Sequence, residues 1–172
     1  ILYDETIRQS AEDGTPLVKL LQDQGIAPGI KADLGAKPLA GSPDEVVTEG
    51  LDGLRERFAE YRKLGAVFSK WRAVITIGDG IPTPYCIRVN AHALARYAAL
   101  SQEAGIVPMV EPEVLMDGTH SIERCFEVSV RTLRETFRQL AEQRVSLDGL
   151  LLKTNMVLSG KEAKDRADAK HV

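Results

Sequence analysis

Apolar residues along this chain follow two spacings. Four near-continuous runs rich in Ile, Val and Leu cover 25–34, 66–77, 105–115 and 147–158, a pattern that predicts strands of a parallel sheet covered on both faces. Between the runs, apolar residues step by three and four. Leu51, Leu54, Phe58 and Tyr61 predict one helix, stopped by Gly65; Ala91, Leu94, Ala95 and Ala98 predict another, with Asn90 as its N-cap and Gly105 as its terminator. Phe126, Val130, Leu133, Phe137 and Leu140 form the clearest amphipathic stripe, with Arg131, Arg134 and Glu135 on other faces. A shorter helix is expected over 16–24.

The resulting order of strand, helix, strand, helix, strand, helix, strand predicts βαβ crossovers of right hand. Marker residues Lys31, Lys70, Glu111 and Lys153 are separated by 39, 41 and 42 positions, so one βα unit recurs structurally without a sequence repeat. A (β/α)8 barrel needs eight such units and about 250 residues. The 172 residues hold four strands. The expected fold class is therefore α/β, with parallel βα repeats of a TIM (β/α)8 barrel and about half of the barrel present, as a single partial domain over 1–172. The polar, charged stretch 159–172 reads as a loop or tail. Ile1, Leu2 and Tyr3 read as the end of a strand already under way, and a fragment is expected.

Composition narrows the partners. Lys and Arg number 22 against 25 Asp and Glu, a formal net charge of −3, and 44% of residues are hydrophobic. Basic residues are scattered, so neither nucleic acid nor an anionic membrane is an expected partner. No apolar run approaches the roughly 20 residues of a membrane span. Cys86 and Cys125 lack CxxC spacing, and His92, His120 and His171 are dispersed, so neither a disulfide scaffold nor a metal site is expected and a reducing cytoplasm fits.

The chemistry lies in charges placed inside apolar strands. Each run carries a polar pair at i and i+2: Lys31 with Asp33, Lys70 with Arg72, Glu111 with Glu113, Lys153 with Asn155. Strand side chains alternate, so both members of a pair face one way, which in a closed barrel could be the interior. A single such lysine is ordinarily a solvated rim residue, and a buried salt-bridge network is the other inert possibility. Repetition in four successive strands favours a common site.

Such a cluster has a definite use. A lysine amine attacks a carbonyl only when neutral, although its ordinary pKa is about 10.4. Desolvation of Lys153 by Leu151 and Leu152, with repulsion from Lys70, would lower that value. The iminium so formed stabilises a carbanion at the adjacent carbon. Glu111 could carry protons through carbinolamine formation and dehydration, and Glu113 could orient the amines. Lys31 and Arg72 remain to hold anionic groups, most naturally phosphates. Together these parts specify Schiff-base chemistry on a phosphorylated ketose or keto compound.

The residues carrying this cluster also resemble one family, the class I fructose-1,6-bisphosphate aldolases. The resemblance lies in Gly29-Ile30-Lys31-Ala32-Asp33, in Pro38-Leu39-Ala40-Gly41 followed by Gly50-Leu51-Asp52-Gly53-Leu54, and in Phe68-Ser69-Lys70-Trp71-Arg72. It continues through Leu94-Ala95-Arg96-Tyr97-Ala98, the segment from Gly105 to Pro112-Glu113, and Leu151-Leu152-Lys153-Thr154-Asn155-Met156. It implies a (β/α)8 barrel, commonly a homotetramer, that cleaves fructose 1,6-bisphosphate reversibly to dihydroxyacetone phosphate and glyceraldehyde 3-phosphate without metal or other cofactor. By resemblance, Lys153 matches the Schiff-base lysine, Glu111 the general acid/base, Glu113 its positioning neighbour and Lys70 the cation beside the imine. Lys31 and Arg72 match substrate-binding residues, and Asp33 a supporting acidic position.

Two departures stand out. Thr154 replaces the proline usual after the Schiff-base lysine, restoring a backbone N–H. The match also runs only from near the end of strand two to just past strand six, so the family's first-strand aspartate, its strand-seven and strand-eight phosphate loops and its C-terminal tyrosine lie outside it; complete cleavage by this chain is expected to be impaired. Another Schiff-base aldolase, a transaldolase-like barrel and a noncatalytic fragment with an assembly role are the rival readings. Gly78-Asp79-Gly80 is expected to be a turn, Trp71 to pack outward against helices, and Cys125 to be a core residue of its helix.

Overall fold

The computed structural model describes residues 1–170 and 172. His171 lies outside the described residues. The elements in chain order are α1 (Asp4–Ile7), α2 (Leu17–Asp23), β1 (Gly29–Lys31), β2 (Ala36–Leu39), β3 (Ser42–Thr48), α3 (Leu54–Lys63), β4 (Phe68–Ile75), α4 (Pro84–Glu103), β5 (Val107–Val114), α5 (Ile122–Glu142), a 3-10 turn (Leu147–Gly149) and β6 (Leu151–Leu152).

Four strands form one sheet in the order β1-β4-β5-β6, all parallel, with helices between them. This is the sheet anticipated from the four apolar runs, and it is part of a (β/α)8 barrel. Leu2 extends its outer edge: its N–H donates to Gly29 O at 2.7 Å and its carbonyl accepts from Lys31 N at 2.9 Å, a parallel bridge beside β1. The apolar side of β4 carries Trp71, Ala73 and Ile75 into the helix layer, where Trp71 stacks on Tyr97 of α4 at 5.3 Å between ring centroids. The hydroxyls of Tyr97 and Ser101 each lie 2.7 Å from Ser69 Oγ, so these three hydroxyls satisfy one another within the layer, whereas Trp71 Nε1 is buried there without a hydrogen-bond partner among the described residues.

Several boundaries differ from the sequence reading. A separate antiparallel hairpin, β2–β3, occupies 36–48, turning through Gly41 at φ 78°. Helix α4 begins at Pro84, not after Asn90: Thr83 Oγ1 accepts from Cys86 N at 3.1 Å and proline takes the first turn, where no N–H is needed. Asn90 is instead buried within the helix, donating to Val46 O at 2.8 Å and accepting from Thr48 N at 3.2 Å, so it ties the hairpin to α4.

Helix α5 does not pack through its most apolar stripe. Leu140 of that stripe is buried, but the rest of the buried face is Cys125, Val128, Ser129, Thr132, Thr136 and Gln139, mostly small side chains that let the helix approach β5 and α4, while Phe126 is 61% exposed. The run 147–158 contributes only two residues of strand. The reason lies in β5: Lys153 N donates to Val110 O at 2.9 Å, so the even-numbered residues of β5 address β6, and Pro112 there has no N–H to give. At the next even position Val114 N donates to Asn155 Oδ1 at 3.1 Å, a side chain replacing the ladder. Beyond it, Gly160 N donates to His120 O at 2.8 Å. A Cβ on Gly160 would stand 2.1 Å from Gly118 O, so only glycine lets the two segments meet this closely. No helix is long and apolar enough to cross a membrane among the described residues.

Glu45 fastens the hairpin to the start of α4. The carboxylate is 2% exposed and accepts from Ser42 Oγ at 2.5 Å, Thr83 N at 2.7 Å and Thr83 Oγ1 at 2.6 Å. Burial pushes its pKa up, but these hydrogen bonds outweigh burial and hold it below the ordinary glutamate value. Burial, and then the Glu45 charge, push the neighbouring Cys86 thiol up to about 12, so it is an inert core residue. Because Glu45 has a depressed folded-state pKa, its stabilisation is present above the unfolded-state value and is lost as pH falls through the folded one. Glu45→Ala is expected to destabilise the fold by roughly 1–3 kcal/mol at neutral pH. Urea unfolding of both proteins should show that difference shrink as pH falls below the ordinary glutamate value and through the depressed folded-state one.

Candidate active site

The charged residues predicted within the strands meet on the sheet face opposite the helices, toward the C-terminal ends of the strands. Lys31 is the last residue of β1, Lys70 and Arg72 lie within β4, Glu111 and Glu113 lie within β5, and Lys153 immediately follows β6. Backbone register sets Lys31 beside Lys70, and Arg72 beside Glu111. Side-chain pairing is diagonal instead. Lys70 Nζ reaches Glu111 Oε2 at 2.7 Å, one i+2 step along β5 from its backbone partner Met109, and Arg72 pairs with Glu113 by the same step. Lys153 Nζ donates to Glu111 Oε1.

Glu111 thus has one ammonium on each carboxylate oxygen. Its side chain is 3% exposed, whereas that of Lys70 is 21% and that of Lys153 is 53% exposed. Burial raises the Glu111 pKa, but the two lysines, Lys153 first, outweigh it, so the carboxylate is held below its usual range. The expected shielding of Lys153 by Leu151 and Leu152 is not found: those side chains are themselves 47% and 39% exposed, because β6 is short and lies at the sheet edge.

Asp33 and Lys31 form a second group. Asp33 Oδ1 accepts from Lys31 Nζ at 2.6 Å and Gly35 N at 3.0 Å, while Oδ2 accepts from Arg72 N at 3.3 Å. Lys31 therefore stands over Asp33, two residues beyond the end of its strand, and 5.9 Å from the Tyr3 ring. Asn155, expected beside Lys153, turns away: it bonds Val114 N and donates to Ser129 Oγ of α5 at 3.2 Å. Sequence reasoning also missed the support beneath Arg72. Thr48 Oγ1 donates to Arg72 O at 2.7 Å and Asn90 receives Thr48 N, which fixes the strand carrying Arg72 from behind. Asn90 falls in step with Cys86, Ala93, Leu94 and Tyr97 on the apolar face of its helix, and a polar residue at that spacing was the available signal. No group of three or more His, Cys, Asp and Glu side chains capable of holding a metal occurs among the described residues.

A parallel sheet of βα units whose concave face gathers lysines and carboxylates at its strand ends is the architecture of a (β/α)8-barrel enzyme. The family profile described as fructose-bisphosphate aldolase class-I matches residues 1–172, and the chain belongs to that family. It is 62% identical over its full length to "Probable fructose-bisphosphate aldolase class 1" of Xanthomonas campestris pv. campestris, of which it covers 52%. Against "Fructose-bisphosphate aldolase, non-muscle type" of Lethenteron camtschaticum it is 48% identical, covering 47%. The solved fructose-bisphosphate aldolase of Plasmodium falciparum, crystallised with TRAP and a small-molecule inhibitor, superposes with a TM-score of 0.96 at 45% identity over 99% of this chain and 50% of that one. The chain spans about half the length of the relatives it matches.

Because Glu111 is buried between two cations, its partners depend on one another energetically. Lys70→Met and Glu111→Gln are each expected to destabilise the fold, with the double variant less destabilised than the two effects added. A denaturant double-mutant cycle should give a coupling of at least about 0.5 kcal/mol.

Proposed function

We propose that this chain is the imine-forming part of a class I fructose-bisphosphate aldolase, which reversibly cleaves fructose 1,6-bisphosphate to dihydroxyacetone phosphate and glyceraldehyde 3-phosphate. The observation that carries this reading is the single carboxylate of Glu111 in contact with both Lys70 and Lys153. An amine adds to a ketone only after losing its proton, and Glu111 is the acceptor already in hydrogen-bond contact with Lys153.

Lys153 Nζ adds to the ketone carbon, forming the C–N bond as the carbonyl π electrons move to oxygen. Glu111 returns that first proton to the oxygen, giving the carbinolamine hydroxyl, then takes a second proton from the nitrogen and delivers it to the hydroxyl, which leaves as water as the freed nitrogen lone pair closes the iminium. Glu111, ionised again, then takes the proton of the hydroxyl on the second carbon from the iminium; that carbon's O–H pair forms the aldehyde carbonyl, the bond between it and the alpha carbon breaks, its electron pair forms the enamine double bond and the iminium π pair moves to nitrogen. Lys70 supplies a cation beside the developing charges and keeps Glu111 ionised between turns. Glu113 holds Arg72, while Lys31, Arg72 and Asp33 form the part of the face suited to phosphate and hydroxyl groups of the sugar. The proposal includes glycolytic use in the cytoplasm and a homotetramer, as the family resemblance implies, with 1–172 as one partial barrel domain and 159–172 as its polar tail.

Borohydride reduction in the presence of dihydroxyacetone phosphate tests the core of the proposal. Peptide mass spectrometry should find a stable adduct on Lys153, absent from a folded Lys153→Arg variant. Glu111→Ala should slow its formation by about 10²- to 10⁴-fold. An adduct on another lysine, or none on the folded chain, would refute this assignment.

A further inference from the structure

Helices α4 and α5 run side by side on the face of the sheet opposite the lysine cluster. Their register is fixed by polar contacts: His92 Nδ1 lies 3.1 Å from Gln139 Oε1, and Gln143 Nε2 donates to His92 O at 3.3 Å. One helical turn earlier on each helix, the same register brings Arg88 opposite Glu135. Arg131, Arg134 and Arg138 flank that glutamate, and with Pro84 and Ile87 these residues line an open groove of about 390 Å³.

The charges in this groove do not balance. Glu135 is bound to Arg138 at 2.5 Å, and Arg138 also pairs with Glu142. Arg131 has only Glu127, at 3.9 Å. Arg88 and Arg134 are exposed, and neither makes an ion pair or a side-chain hydrogen bond among the described residues. Glu127, Glu135 and Glu142 thus engage Arg131 and Arg138, and Arg88 and Arg134 are left as two guanidinium groups without an ion pair among the described residues. Like charges held this close repel one another unless an anion sits between them.

We propose that this groove is a second binding site, for a small molecule carrying two or more phosphoryl groups. Guanidinium forks match phosphate oxygens in pairs, and Arg88 and Arg134 have their donors uncommitted. Arg131 and Arg134 lie one turn apart on α5, roughly 5 Å along its axis, and Arg88 faces them from α4, so the available donors converge from two helices on separate points, which suits two or three linked phosphoryl groups better than one. The groove volume lies in the range of small-ligand sites, about 300–1,000 Å³, which favours a small anion over a folded macromolecule. Pro84 and Ile87 supply its only apolar lining, so it offers little to a base or an acyl group. The sheet separates this groove from the lysine cluster, so its ligand does not compete with a sugar phosphate there.

Arginine modification by phenylglyoxal tests the site on the unaltered chain, with tripolyphosphate as the probe and ionic strength held constant. Tripolyphosphate at about ten times its dissociation constant should slow modification of Arg88 and Arg134 by about tenfold. Arg96, exposed and outside both sites, should react as before, whatever protection Arg72 shows on the sugar-phosphate face. A folded Arg88→Gln/Arg134→Gln variant should bind tripolyphosphate about 10- to 100-fold more weakly. Parallel titrations with a nucleoside triphosphate and a sugar bisphosphate distinguish the sources of the polyphosphate, protection by either locating the same site. Unchanged rates at Arg88 and Arg134, protection confined to Arg72, unaltered affinity in the double variant, or protection by polyglutamate but not by tripolyphosphate would each overturn the proposal.

Discussion

A carboxylate buried in the middle of a parallel sheet imposes conditions on everything around it. Glu111 is almost fully removed from water, and a charge so placed is tolerated only with partners of opposite sign. Lys70 and Lys153 supply them from the two flanking strands, one ammonium to each oxygen. The pairing requires β4 and β6 to lie on opposite sides of β5, as the parallel order makes them. The ammonium groups remain more accessible than the acid they hold. A protected carboxylate is thereby presented beside amines that can be reached from solution.

The scaffold behind this arrangement is specific in its polar details. The diagonal pairing of β4 with β5 comes from side chains reaching one pleat along the neighbouring strand. Asp33 continues the same face to β1 by binding Lys31 and the Arg72 backbone. From the other side, Thr48 and Asn90 hold the Arg72 segment, and Glu45 joins the same hairpin to the first turn of α4. At the opposite edge, Pro112 interrupts the ladder and Asn155 takes over the donor of Val114, so the chain leaves the sheet directly after the residue that meets Glu111. The helix layer serves a different chemistry: its outer α4–α5 groove carries a concentration of arginines that the local acids leave unbalanced.

Much of this was legible along the chain. Apolar runs separated by three-and-four stepping identified the parallel strands and most helices because burial on two faces leaves a continuous pattern and burial on one face leaves a periodic one. Charges repeated inside those runs marked Lys31, Lys70, Arg72, Glu111, Glu113 and Lys153, because strand alternation alone puts each i and i+2 pair on one face. Where local signals competed, reading by pattern failed. The stripe through Phe126 and Phe137 was the strongest on its helix, yet the packing surface uses Cys125, Ser129, Thr132 and Thr136, since close helix–sheet approach selects small side chains over apolar ones. Asn90 has cap chemistry, but Thr83 followed by proline already satisfied the helix start.

The sequence by itself therefore determined the parallel βα order, the strand origin of the charged cluster and the residues available to it, because these depend on spacing and alternation within single segments. Only the tertiary structure decided which lysines share Glu111, that Asn155 turns out of the cluster, and that Lys153 stays open to solvent beside two exposed leucines. Each of these depends on register and stagger between strands far apart in the chain, and on where the sheet edge falls. The meeting of Arg88 with the arginines of α5 has the same cause: two helices, each unremarkable in its own charge pattern, acquire a shared groove only through the contacts that set them side by side.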